Sequence, residues 1–203
     1  ILLEMQNIDL IIETASVQAA NQYANDLVKK ANVVFASVGA MSDQVFYNNL
    51  LDDAAKYGNT IIIPSGAIGG LDAIDAVKDS ITFIEIITTK SPESLSGAKG
   101  FSDYENYKFT SPEVIYSGTA TNAIKLFPKN LNVAVTLSLF GLGPDKTNVT
   151  VVADPDVKMN CHKIYLKGQF GEMSFDFKLE KSIKNPKTSA LAGLSIIKIL
   201  KDY

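Results

Sequence analysis

Three consecutive isoleucines, Ile61, Ile62 and Ile63, run into Pro64 and then into Ser65, Gly66, Ala67, Ile68, Gly69 and Gly70. An unbroken apolar triplet predicts a short strand buried on both faces, as in a parallel sheet. Pro64 cannot donate to a ladder, so the strand stops there. From Leu71 to Val77 the apolar residues fall at helical spacing. The order is therefore strand, glycine-rich turn, helix. Glycines at the carboxyl end of a parallel strand let backbone amides approach a ligand closely, and that end is where open α/β sheets bind their ligands. The same glycines also suit a tight turn that binds nothing, and spacing alone does not separate the two readings.

The preceding residues set the topology. A β-rich run over 8–13 leads to Ser16, a good N-cap for a helix reaching Lys30. A short buried strand at 33–36 ends in Ser37, Val38, Gly39 and Ala40, and Ser42 or Asp43 caps a helix that Gly58 stops. This βαβαβ order predicts right-handed crossovers and a parallel sheet. Three small, polar strand ends, at 13–16, 37–40 and 64–70, should share one edge. The later chain changes character. A long strand over 81–89 precedes a polar loop from 90 to about 112, and then come a strand at 114–116, a helix at 119–126 and strands at 148–153, 161–167 and 173–179. Residues 132–142 fit either a strand, by their Val and Thr content, or a buried helix, by apolar spacing. Asn185 as cap and Pro186 as first residue open a terminal helix. The fold class expected is α/β: a partial Rossmann-type parallel sheet, plus a second α+β domain on a mixed sheet. Residues 1–70 and 184–203 belong to the first domain and 71–183 to the second. Met173, Phe175, Phe177 and Leu179 alternate onto one face of the last strand. With Ile164 and Leu166 they predict an apolar sheet face that a second copy covers.

With 46% hydrophobic and 20% charged residues the 203-residue chain is globular. Its net charge of −3 argues against nucleic acid as partner, and no apolar run is long enough to span a bilayer. The lone Cys161 fits a reducing cytoplasm. One cysteine and one histidine cannot form a Cys/His metal cluster, so no metal is expected. All 19 basic residues are lysines, so a carboxylate must be held by lysine, histidine, hydroxyls or amides, not by a guanidinium. His162, the sole histidine, has Asp156 and Asp154 six and eight residues back and fits a general acid/base oriented by a carboxylate, although a lone histidine is more often structural. On a strand Cys161 points to the other face, which disfavours a Cys–His dyad. Lys187, Thr188 and Ser189 at a helix start fit an anion site or an ordinary cap. The run Phe140 to Pro144 lacks a third glycine and is no dinucleotide fingerprint.

Residues 64–72, 126–134 (LFPKNLNVA), 153–155 (ADP), 160–162 (NCH) and 185–189 (NPKTS), in this order, resemble the L-aspartate dehydrogenase family, and the turn at 37–40 fits as well. The resemblance implies an NAD(P)-binding Rossmann domain and a second α/β domain supplying the substrate site and a homodimer contact. It implies oxidation of L-aspartate to iminoaspartate, which hydrolyses to oxaloacetate and ammonia or feeds NAD biosynthesis. Position by position, it makes His162 the catalytic histidine and Ala67 and Asn132 the pair that contacts NAD or NADP, with Ser37, Gly39, Ser65 and Gly66 around them. Lys187, Thr188 and Ser189 become candidates for a substrate carboxylate, and residues 132–142 become a helix. The family opens with a strand, a G-x-G-x-x-G turn and a helix, none of which precedes Ile1 here. The expectation is thus a nucleotide domain without its first crossover. Two other readings stand: a reductase of another amino acid or cyclic imine, similar to dihydrodipicolinate reductase, and a dimerising piece without cofactor.

Overall fold

The computed structural model describes residues 5–183 and 188–203. Its first sheet is built from three short strands: β1 (Leu10–Glu13), β2 (Asn32–Phe35) and β3 (Ile61–Ile62), all parallel and in that order. Helix α1 (Val17–Lys30) joins the first pair and α2 (Gln44–Lys56) the second. Both helices start where their caps predict. Ser16 Oγ accepts from the Ala19 amide at 3.1 Å, and Asp43 Oδ1 accepts from Val45 and Phe46 at 2.9 and 3.0 Å. Val33, Val34 and Phe35 on the central strand are fully buried. The isoleucine run departs from expectation, because β3 is two residues long and only half-buried. It is an edge strand of this sheet, paired among the described residues with β2 alone, and the pairing stops at Ile62, two residues before Pro64.

After α3 (Leu71–Ala76) the chain enters a five-stranded mixed sheet. It comprises β4 (Ile81–Lys90), β5 (Glu113–Thr119), β6 (Asn148–Ala153), β7 (Asn160–Gly168) and β8 (Gly171–Leu179) in the order β5-β6-β4-β7-β8. Only β4 and β6 run parallel. The stretch expected as a polar loop after Lys90 instead holds α4 (Pro92–Leu95) and a 3₁₀ turn at Lys99–Tyr104. Phe101, Tyr104, Tyr107 and Phe109 pack ring against ring here, with centroids 4.8–6.0 Å apart, so aromatic burial orders a segment that its polar residues disguise. Helix α5 (Ala120–Leu126) follows β5, and α6 (Asn132–Phe140) settles the ambiguous stretch as a helix. Six successive residues of α6, Val133 to Ser138, are buried, which explains why its composition resembles that of a buried strand. The terminal helix α7 spans Ala190–Asp202, and the expected cap Asn185 and first residue Pro186 lie outside the described residues.

One face of the second sheet is covered by the chain itself. Ile84, Ile86, Ile164, Leu166, Val149 and Val151 on that face are buried. Met173, Phe175, Phe177 and Leu179 share it and pack against the core, half-buried. The face expected to be covered by a second copy is therefore not bare, because these four side chains already pack against the chain's own core. The glycine-rich turn after β3 lies against two of them, Phe175 and Phe177. A Cβ on Gly70 would come within 2.5 Å of the Phe175 ring, and Gly69 lies over Phe177. Gly70 also has φ +73°. This glycine is required by a left-handed turn and by close approach to an aromatic ring.

Candidate active site

The three strand-end turns do share an edge, and the second sheet's covered face meets them there. Along β4 the inward side chains run Ile84, Ile86, Thr88, Lys90, and along β7 they run Asn160, His162, Ile164, Leu166, all buried. The antiparallel register sets Thr88 opposite His162, so the apolar row turns polar at one end of both strands together. A cavity of about 320 Å³ opens at that end. Thr14, Ala36, Ser37, Val38, Pro64, Gly66 and Ala67 from the first sheet line one side. Asn130, Asn132, Val133 and Thr136 at α6 line another, and Lys90, Lys129, Asn160, His162, Thr188 and Ser189 line it as well, together with Ala192, Gly193 and Ile196 of α7.

His162 is 2% exposed, and its Nδ1 lies 3.1 Å from Thr88 Oγ1. The hydroxyl can serve either ring tautomer, so this bond fixes the ring while Nε2 stays free to donate or to accept. Burial, and next the charge of Lys90, push the His162 pKa down to about 3, which keeps the imidazole neutral at pH 7. The orienting partner is therefore a threonine. The aspartates at 154 and 156, expected as a possible carboxylate partner, are not among the cavity-lining residues. Cys161 faces away from the cavity, as alternation predicts.

Ser37, Gly66, Ala67, Asn132, Thr188 and Ser189 come together here, whereas Gly39 and Ser65 stand just off the lining. Gly39 instead supports its neighbour. Its amide donates to Asn132 Oδ1 at 3.0 Å, and a Cβ there would strike that same oxygen at 2.8 Å. The bond leaves the Asn132 amide group as the end turned to a ligand. Ser37 is partly committed as well. Its amide and hydroxyl both donate to Glu13, which also accepts from Ala15 and Ser16, so one buried carboxylate ties two strand-end turns together. The amide of Gly66, at φ +65°, donates to Ser195 Oγ of α7 at 3.2 Å. Lys187 lies outside the described residues.

Residues that the sequence did not single out are Thr88, Lys90 and Asn160. Lys90 Nζ donates to Asn160 Oδ1 at 3.0 Å, and its pKa is pushed down to about 8 by burial and by the charge of Lys181. The signal was present in the alternation of β4, where two polar side chains continue a buried apolar row. It becomes legible only once β4 is paired with β7, roughly seventy residues away. Small apolar walls at Ala36, Val38 and Ala67, with the Asn132 amide beside them, fit the flat nicotinamide end of a dinucleotide. Among the described residues no group of three or more His, Cys, Asp or Glu is placed to hold a metal ion, and no helix is long and apolar enough to cross a membrane.

Comparison with known proteins places this geometry in a family. The family described as "Aspartate dehydrogenase, C-terminal" matches residues 72–203, and that described as "Homoserine dehydrogenase, NAD binding domain" matches residues 1–64. The L-aspartate dehydrogenase of Nitrosopumilus maritimus is 46% identical over all of this chain and 75% of its own length. That of Methanocaldococcus jannaschii is 37% identical over 97% of this chain and 74% of its own. The chain thus spans about three quarters of these relatives. The crystal structure of aspartate dehydrogenase from Thermotoga maritima superposes with a TM-score of 0.81 at 30% identity, covering 98% of this chain and 78% of that one. Sequence and fold together show that this chain belongs to the aspartate dehydrogenase family.

Proposed function

We propose that the protein oxidises L-aspartate with NAD or NADP to iminoaspartate, which hydrolyses to oxaloacetate and ammonia or supplies NAD biosynthesis. The observation that carries this reading is the single neutral histidine, held by Thr88, in the same cavity as the strand-end turns of a parallel sheet. Gly66, Ala67 and Asn132 would hold the nicotinamide end of a bound dinucleotide, which would supply the hydride acceptor for the substrate Cα. The chain's own residues arrange that event. Ala67 and Gly66 leave room for a flat ring, and the Asn132 amide, anchored through Gly39, orients it. His162 Nε2, neutral and unpartnered among the described residues, accepts the proton that the substrate nitrogen loses as its bond to Cα becomes double, and later assists the attack of water. Holding both reactants in one cleft contributes several kcal/mol, about 7 for well-oriented pairs.

We assign residues 1–70 and 184–203 to the nucleotide domain and 71–183 to the substrate domain. Contacts of α7 support this division: Ser195 meets Gly66, while the Tyr203 hydroxyl accepts from Asn32 Nδ2 and donates to the Asp9 carbonyl, both at 2.8 Å. The protein acts as a homodimer. The supporting feature is the second sheet's other face, where Phe83, Ile87, Val152 and Tyr165 stand half-exposed beside Val114, which is 60% exposed. The single thiol, Cys161, fits a reducing cytoplasm. The test is substrate-dependent reduction of NAD and NADP across L-amino acids. L-Aspartate should be the preferred substrate, and equal rates with L-alanine would overturn the reading.

A further inference from the structure

Buried charge in this molecule is confined to two places. Among the described residues Glu13 is the one buried acid, 7% exposed, and Lys90 the one buried lysine, 3% exposed. They belong to different walls of the same cavity. Lys90 lines the second-sheet wall, whereas Glu13 stands behind the first-sheet wall, next to Thr14 in the chain and bonded to Ser37, both of which line it. The described lining itself holds Lys90 and Lys129 but no aspartate or glutamate. A cationic ligand would thus meet like charge on the lining, and the carboxylate behind the first wall is placed to offset it.

The position of that carboxylate is fixed from several sides. Glu13 Oε1 accepts from the Ala15 amide at 2.7 Å, the Ser16 amide at 3.2 Å and the Ser37 hydroxyl at 3.1 Å, and Oε2 accepts from the Ser37 amide at 3.1 Å. All four partners donate, so the group acts throughout as an acceptor, which is the role of an ionised carboxylate. Tying two turns together does not require a full charge, because a neutral side-chain amide could accept most of the same bonds. Burying a charge is costly unless something nearby offsets it. Ser37 lies between Ala36 and Val38, part of the wall that fits the flat nicotinamide ring. That ring is a cation when oxidised and neutral when reduced.

We propose that Glu13 makes the cavity selective for the oxidised dinucleotide, its carboxylate acting through the Ser37 turn to stabilise the charged nicotinamide ring and not the neutral one. This rests on the reading above that the ring lies against this wall. Glu13 touches neither reactant. It is a positioning residue for the Ser37 turn and a fixed source of field behind it. Hydride transfer cancels the ring's charge, so the field that holds the oxidised ring weakens its hold on the reduced one and favours its release.

The test is calorimetric titration of the full protein with NAD and NADH and, in parallel, with NADP and NADPH. The wild type is expected to bind the oxidised form at least as tightly as the reduced one. Glu13→Gln keeps the shape and removes the charge. It should lose about 10-fold in affinity for the oxidised form relative to the reduced form, the scale of one unit charge acting through a protein wall and not by contact. Glu13→Asp keeps the charge but shortens the arm, so it should weaken both forms together and leave their ratio within about 3-fold of wild type. A purely structural tie would not move that ratio. An unmoved ratio in Glu13→Gln overturns the proposal, and so does a wild type that prefers the reduced form by about 10-fold or more, a result that needs no variant to fold. Failure of the wild type to bind either form removes the dinucleotide reading along with the proposal, whereas binding with an unmoved ratio removes the proposal alone.

Discussion

His162 ties chemistry and stability to one side chain. Its folded pKa, about 3, lies below the ordinary value of 6.5. Between those values the unfolded chain holds a proton that the folded chain does not, so stability falls as pH drops through that window and is unaffected above it. At pH 5 the loss amounts to about 2 kcal/mol relative to pH 7. His162→Gln should remove that part of the acid slope, and urea unfolding of both proteins at pH 7 and 5 would show it; parallel slopes would mean that the imidazole is not buried neutral. The sequence marked His162 as the residue to watch, but it suggested aspartates as orienting partners. Thr88 replaces them because strand pairing across 74 positions, not local spacing, decides which side chain faces the ring.

Caps and turns were readable because their chemistry is local: Ser16 and Asp43 each accept an amide at the helix start that follows them. What local pattern did not reveal was why Gly70 is glycine. A ligand approach and a tight turn were both open, and the answer is an aromatic ring from β8 pressed against its Cα in a left-handed turn. Gly58 has nearly the same φ, +71°, but nothing within 4 Å of a Cβ, so the two positions separate strain from packing. Gly70→Ala should cost about 2–3 kcal/mol, the sum of strained backbone and overpacking, and Gly58→Ala only about 1 kcal/mol. Thermal unfolding of the two variants checks this; equal costs would show that the Phe175 ring moves aside freely. Helix α6 was legible only through family resemblance, because a helix buried all round loses the periodicity that distinguishes it from a strand.

The assembled molecule places its chemistry at a junction: the strand ends of a small parallel sheet meet the polar end of a mixed sheet's covered face, and α7 returns to close the gap. The sheet face expected to dimerise packs in part against the chain's own core, and the opposite face carries the half-exposed Phe83, Ile87, Val152 and Tyr165. Phe83→Asp with Tyr165→Lys should therefore convert a wild-type dimer to monomer in sedimentation at micromolar concentration, whereas a wild-type monomer would show that this face stands alone. The claim on which the rest depends is that His162 performs proton chemistry for L-aspartate oxidation in a cavity it does not hold together. The most direct measurement compares wild type and His162→Ala in the full protein, reading L-aspartate-dependent NAD(P)H formation and NAD(P) affinity on the same samples. The account predicts a fall in turnover of roughly 100- to 10,000-fold with cofactor affinity nearly unchanged. Unchanged turnover, or turnover and cofactor affinity lost in equal measure, would contradict it.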